Sequence, residues 1–414
     1  MRRQILFPII ATILFISALS LSAQTLNMGN ALGVPNSSDL NGGPVRTNID
    51  LNAPASATGT ITTVTYSWSS TPCTNAFKIK FFRRSGDTLT MITERGPFSS
   101  AADNHITLSP AVSVLQGDLI GITRVASCGN SGTLSGIVNE GYVQYTSDVT
   151  GSVSLAAGTR AGAVLGVAGS GTATEAVAQI ITVVGSTAGG FGSNFKTGVQ
   201  LFNGRPGGGS ISGRLVFHRA GANGSAADPS FPYTLSGGQV LSVADIVASL
   251  GQTGLGSMDL ILAAGQTAPT AVVRVFNDAG SAGTSGLTED LIQLALPVDS
   301  RIMPAGATGY MVTPPDPTKA RFNIGVRALF GGATVTATLK DSTGATIVSV
   351  TKSYPPTWFE QVDSTTFFNG TAIGANQSIT ISVSSGAAII YGSTNDNITN
   401  DPSVQFVKVA FAIA

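Results

Sequence analysis

The sequence predicts an all-β protein, and three observations carry that prediction. Apolar and polar residues alternate over short runs, glycine accounts for 50 of 414 residues, and only 11% of residues are charged. Alternation sends every second side chain into a core, as half-buried strands require. Glycine supplies tight turns, and the scarcity of charged helix formers argues against surface helices.

The first 23 residues read as a secretory signal peptide. Met1-Arg-Arg-Gln is a basic n-region, residues 5–19 are an apolar h-region, and Ser20, Ser22 and Ala23 offer small residues for cleavage. The apolar stretch is short of the roughly 18–20 residues a spanning helix needs, and it contains Pro8. No membrane span is therefore expected after cleavage, and the mature chain is expected to be secreted or displayed at a bacterial cell surface. Cys73 and Cys128 are the only cysteines, and an oxidising compartment makes a bridge between them the expected state.

An N-terminal sandwich is expected over residues 24–175. Residues 60–68 (TITTVTYSW) alternate most clearly, and residues 76–82 (AFKIKFF) alternate likewise before a turn at 83–87. Further strands are expected at 88–93, 105–108, 113–115, 118–125 and 141–145, with Trp68 in the core. Short strands separated by Pro, Gly and Asn are the pattern of a sandwich. The stretch Val114-Leu-Gln-Gly-Asp-Leu-Ile-Gly-Ile122 resembles the strand entry of jelly-roll-like extracellular modules, some of which bind carbohydrate. That resemblance covers about nine residues and implies a jelly-roll-like fold for this part.

The remainder reads as a duplication. FKTGVQLFN at 195–203 is echoed by FNIGVRALF at 322–330. Ser257, Met258, Leu260, Leu262 and Gly265 answer to Ser378, Ile379, Ile381, Val383 and Gly386 at one offset. Residues 271–278, an apolar run ending in Asn-Asp, answer to 388–396. Between the first two matches the second copy is shorter, and Gly207–Gly209 is the obvious surplus. Two copies are too few for a solenoid, so two related Ig-like sandwiches are expected, at 176–296 and 297–414. Each is given one short helix. In the first copy Ser242 is expected to cap a helix over 242–250 that Gly251 ends; residues 358–366 take its place in the second.

Taken together, FGSNFKTGVQLFN, DPSFPYTLSGGQ and the C-terminal TNDPSVQF resemble an uncharacterised group of secreted bacterial tandem β-sandwich proteins, over residues 178–414. The resemblance implies fold and secretion; it carries no activity and no functional residues.

No Gly-x-Ser-x-Gly elbow and no phosphate-cradling Gly-rich loop is present. His105 and His218 are the only histidines, and His218, in the alternating LVFHR, is expected on an exposed strand face. Glu140, Glu175, Glu289, Asp290 and Glu360 are the carboxylates a glycosidase would draw on, with Glu289-Asp290 read as a solvated turn. Asn395, Asp396, Asn397, Asn400 and Asp401 gather enough oxygens for calcium, although Asx turns explain the same composition. Trp358 and Phe359 are the aromatic pair most suited to stacking on a sugar, with packing onto a sheet as the alternative.

Formal net charge is zero, with 22 basic and 22 acidic residues. Without a basic stripe, nucleic acid is excluded as a partner. The expected function is non-catalytic: a secreted or surface β-sandwich protein that binds, adheres or builds structure against a glycan, matrix or protein surface, with no cofactor required. An accessory carbohydrate-binding protein and a hydrolase with an unrecognised site are the alternatives.

Overall fold

The computed structural model describes residues 25–31, 37–38, 45–69, 72–101, 104–135, 140–205, 207–294 and 299–409. The expected signal peptide lies outside them. Alternation is realised as antiparallel sheets that face one another, so the all-β, sandwich reading holds. Two one-turn helices interrupt the strands, and among the described residues no helix is long and apolar enough to cross a membrane.

In the N-terminal module a seven-stranded sheet is centred on Cys73–Ser85 and Leu119–Arg124. It faces a sheet in which Val167–Ala188 runs between Thr25–Asn30 and Thr58–Tyr66. Leu26, Ile61, Phe77, Ile79, Phe81 and Ile120 close the core between them. Burial of each is worth roughly 1.5–3 kcal/mol. Thr58–Tyr66 does not alternate without a break. A register shift between Ile61 and Thr63 lets Ile61 and Val64 both point inward. Trp68 is buried, and its indole N–H donates to the Cys128 carbonyl. Cys73 and Cys128 are bridged across a separation of 55 residues.

Strand Val167–Ala188 carries the chain from this module into the next. Its first half pairs with Thr58–Tyr66 and its second half with Gly254–Ala263. The expected boundary at 175/176 thus falls inside one strand, because the Gly/Ala/Ser/Thr stretch around it keeps enough β-branched residues to stay paired on both sides.

The duplication appears in the registers. In the first copy a back sheet runs Ser230–Leu235, Ile211–Arg219, Gly254–Ala263, then the second half of Val167–Ala188. Its front sheet runs Val240–Val243, Asn194–Phe202, Thr270–Asp278, Thr284–Glu289. In the second copy Ala320–Lys340 and Ser378–Asp396 each serve both sheets. Thr346–Tyr354 and Thr308–Val312 complete its back sheet, and Phe359–Asp363 and Pro402–Phe406 its front sheet. Matching registers make Val199 equivalent to Val326, Val273 to Ile390, Leu260 to Ile381 and Ile181 to Met311. Where the second copy turns through Gly331 and Gly332, the first inserts the loop holding Gly207–Gly209.

Both helices differ from expectation. Residues 240–243 form a strand, and α1 is only Ile246–Ser249, capped by Asp245 rather than Ser242. The Asp245 carboxylate accepts from the Ala248 N–H at 3.1 Å, and Gly251, at φ +67°, ends the turn. In the second copy Phe359–Asp363 is likewise a strand, followed by α2, Ser364–Phe367, capped by Asp363. The apolar spacing satisfies a strand that pairs with its neighbour, and tertiary pairing overrides local helix preference.

Replacing Cys73 and Cys128 by serine should lower stability by up to about 4 kcal/mol, the loop-closure value for a bridge of this span. The urea midpoint of the double variant against wild type measures it, and an unchanged midpoint would mean that the rest of the module restrains the loop.

Candidate functional site

A cleft of about 450 Å³ lies where the three modules meet. Arg83, Leu115 and Gln116 line it from the N-terminal module, Glu175 and His218 from the first repeat, and Phe330 from the second. Gly117, at φ +92°, sits so close to Phe330 that an added Cβ would lie 2.4 Å from that side chain. The glycine of the Gly-Asp turn therefore serves the packing of one module on another.

His218 forms the floor of the cleft and is buried, contrary to the exposed position expected of it. Repeat packing is the cause: the back sheet that carries it is covered by the front sheet of the second repeat. Its Nδ1 is 2.8 Å from Asp228 Oδ2 and its Nε2 3.0 Å from Asp259 Oδ2. Two carboxylates accept from one ring, so the arrangement favours an imidazolium with both nitrogens donating. Burial opposes that charge, but Asp259 and the two hydrogen bonds outweigh it and raise the His218 pKa above its ordinary value. Neither nitrogen is left to serve as a base.

Asp259 also accepts from Arg327 Nη2 of the second repeat at 2.8 Å, and both side chains are buried. Burial pushes its pKa up, yet the Arg327 and His218 charges pull it down to about 2. Gly221 N–H donates to the Phe359 carbonyl, and the Thr357 hydroxyl to the Gly224 carbonyl, across the same junction. In register, His218 matches Lys340 of the second repeat.

The other carboxylates are engaged as well. Glu140 takes two bonds from Arg84, one from Arg160, and the Gly386 N–H of the second repeat. Glu175 accepts twice from Arg214, and Glu360 from Lys352. Glu289 is no solvated turn: it ends a strand, is buried, and accepts the Thr182 and Val183 N–H groups. Burial pushes its pKa up to about 7 against those bonds. Asp290, next to it, is exposed, as is His105 at the start of its strand.

Phe359 is wholly buried between the repeats with Val183 and Tyr391, and Trp358 packs on the core of the second repeat. The pair forms no open platform, which follows the packing alternative. The Asn-rich loop folds on itself and on Arg321. Asp396 Oδ1 accepts the Ile398 and Thr399 N–H groups, as an Asx turn does. Asn397 and Asn400 oxygens accept from Arg321 at 3.2 and 2.9 Å, and the Asn395 amide donates to Ser393. Asp401 is exposed beside this turn. The Arg321 guanidinium thus takes two of the oxygens considered for calcium, and no group of three His, Cys, Asp or Glu suited to a metal occurs among the described residues.

Sequence reasoning missed Asp228 and Asp259, which meet His218 within the first repeat, and Arg327, whose meeting with Asp259 depends on two repeats stacking. The one available signal was an arginine and an aspartate inside apolar strand runs, at FNIGVRALF and SMDLIL. Comparison with protein-family models, with curated proteins and with solved structures finds nothing that matches this chain.

Arg327→Ala should cost about 3–5 kcal/mol, since it leaves Asp259 buried beside a single cation; chemical denaturation reads this directly. Glu289 titrates at a higher pH when folded than its unfolded value of 4.5, so stability falls as pH rises from there to about 7. Glu289→Gln should therefore stabilise the protein at pH 8 by on the order of 2–3 kcal/mol and have little effect at pH 4. An equal effect at both pH values would refute it. His218 acts over the next window: its contribution is full below the ordinary imidazole value and is lost as pH rises through its raised folded value.

Proposed function

We propose that this is a non-catalytic secreted or cell-surface protein that binds, adheres or builds structure through the outer faces of rigidly joined sandwiches. One observation carries the reading: at the cleft between the modules, His218 has both nitrogens bonded to carboxylates, and Asp259 is held by Arg327. Groups that would do chemistry are spent on locking modules together. The low overall charge suits short-range contact with a glycan, matrix or protein surface rather than long-range steering.

A carbohydrate-binding role is favoured by the back sheet of the second repeat. Its outer face carries paired hydroxyls, Thr336 with Thr351 and Thr338 with Ser349 at 2.9 Å, beside the exposed Tyr310. Neutral hydroxyls and one aromatic ring match the polar edges and apolar faces of sugars.

Pull-down of the purified mature chain on insoluble neutral polysaccharides, with and without calcium, should give binding that Tyr310→Ala weakens at least about tenfold, if sugar is the ligand. Absence of binding leaves adhesion to protein or a structural role. Turnover of a polysaccharide or ester substrate by the same preparation, lost in His218→Gln, would overturn the non-catalytic reading.

A further inference from the structure

The two repeats stack head to tail. The back sheet of the first, through Ile180, Val183 and Asp259, is covered by the front sheet of the second, through Arg327, Ile389 and Tyr391. Each repeat has both faces, so the stack leaves one front and one back unused. Register assigns the unused residues. On the front of the first repeat, Gln200 stands for Arg327, Val272 for Ile389 and Phe202 for Leu329. On the back of the second, Thr380 stands for Asp259 and Tyr310 for Ile180.

The unused front keeps an apolar patch in the open. Phe202, Val240 and Val272 are 38%, 55% and 47% exposed, and the registers place them side by side. Tyr310 and Val312, on the unused back, are 47% and 59% exposed. The buried ion pair of the internal junction is replaced on both sides at once. Gln200 stands where the cation was and Thr380 where the carboxylate was, so at this position neither free face brings a charge that needs the other. Lys340 and Lys408 stand where His218 and Ile292 do internally. Those lysines keep the contact weaker than the internal one.

We propose that the front face of the first repeat is a docking surface for the back face of the second repeat of another copy of this chain. The contact repeats the internal stack, placing Val272 against Tyr310 and Gln200 against Thr380. It joins two different surfaces, so it builds open chains rather than closed pairs. The inference goes beyond the proposed role and does not depend on what the protein binds.

Sedimentation velocity of the mature chain, up to about 1 mM, tests it. Wild type should form a concentration-dependent series of species. Val272→Glu, which spoils the front, and Tyr310→Glu, which spoils the back, should each be monomeric alone. Mixed, they should give one-to-one pairs and nothing larger, because one intact front meets one intact back. Gln200→Arg with Thr380→Asp should tighten association at least about tenfold over wild type, while Gln200→Arg alone weakens it. A wild type that stays monomeric would overturn the proposal. So would a Tyr310→Glu variant that still self-associates, since that marks front-to-front pairing, or a Val272→Glu variant that associates like wild type.

Discussion

The contact on which the rest depends is the pair Asp259–Arg327. It lies in the plane where the back sheet of one sandwich meets the front sheet of the next, with both side chains out of solvent. Two desolvated charges are stable there because each faces the other, with Arg327 Nη1 also donating to the Ala328 carbonyl and His218 completing the shell of Asp259. Ile180, Ile292 and Ile389 on one side, and Val183, Phe359 and Tyr391 on the other, exclude water from the pair. Apolar packing supplies the affinity, and the ion pair fixes which register of the two sheets is allowed. A slip by one residue would turn each charge toward an aliphatic neighbour.

The same logic locks the N-terminal module. Glu140 faces Arg84 and Arg160 of its own module and accepts a backbone N–H from Gly386 of the second repeat. Ser385 of that repeat donates to Asp87. Strand Val167–Ala188 contributes by covalent continuity, belonging to the sheets of two modules. A strand shared by two of the sandwiches, ion pairs and hydrogen bonds across the junctions, and a cleft lined by all three therefore join them, and relative motion would have to break buried bonds.

Much of the fold was legible because it rests on local periodicity. The alternating runs became strands, the two cysteines met, and the echo of FKTGVQLFN in FNIGVRALF marks equivalent positions, with Val199 and Val326 in one register. What was not legible depends on which face of a sheet is covered. His218 sits on the outward face of an alternating strand, where solvent is the natural expectation, but a second sandwich covers that face. Phe359 is buried for the same reason, whereas Glu289 lies opposite Val273 on the inner face of its sheet, against the Thr182 and Val183 N–H groups. Alternation distinguishes two faces; it does not say whether the outer one meets water or another sheet.

Charge placement gives the duplication a direction. Equivalent positions in the two repeats carry Asp259 and Thr380, Gln200 and Arg327, and the charged member of each couple is the one inside the stack. Had the charges served solubility, they would sit on the free faces, where hydration costs nothing. In the buried plane they fix the register of the two sheets instead. The neutral, hydroxyl-bearing exterior then follows from the same constraint: with 11% charged residues in all, those that hold the modules together leave few for the outside. An exterior of that kind meets its partners by fit and hydrogen bonding at short range, and the outer sheet faces become the surfaces that matter.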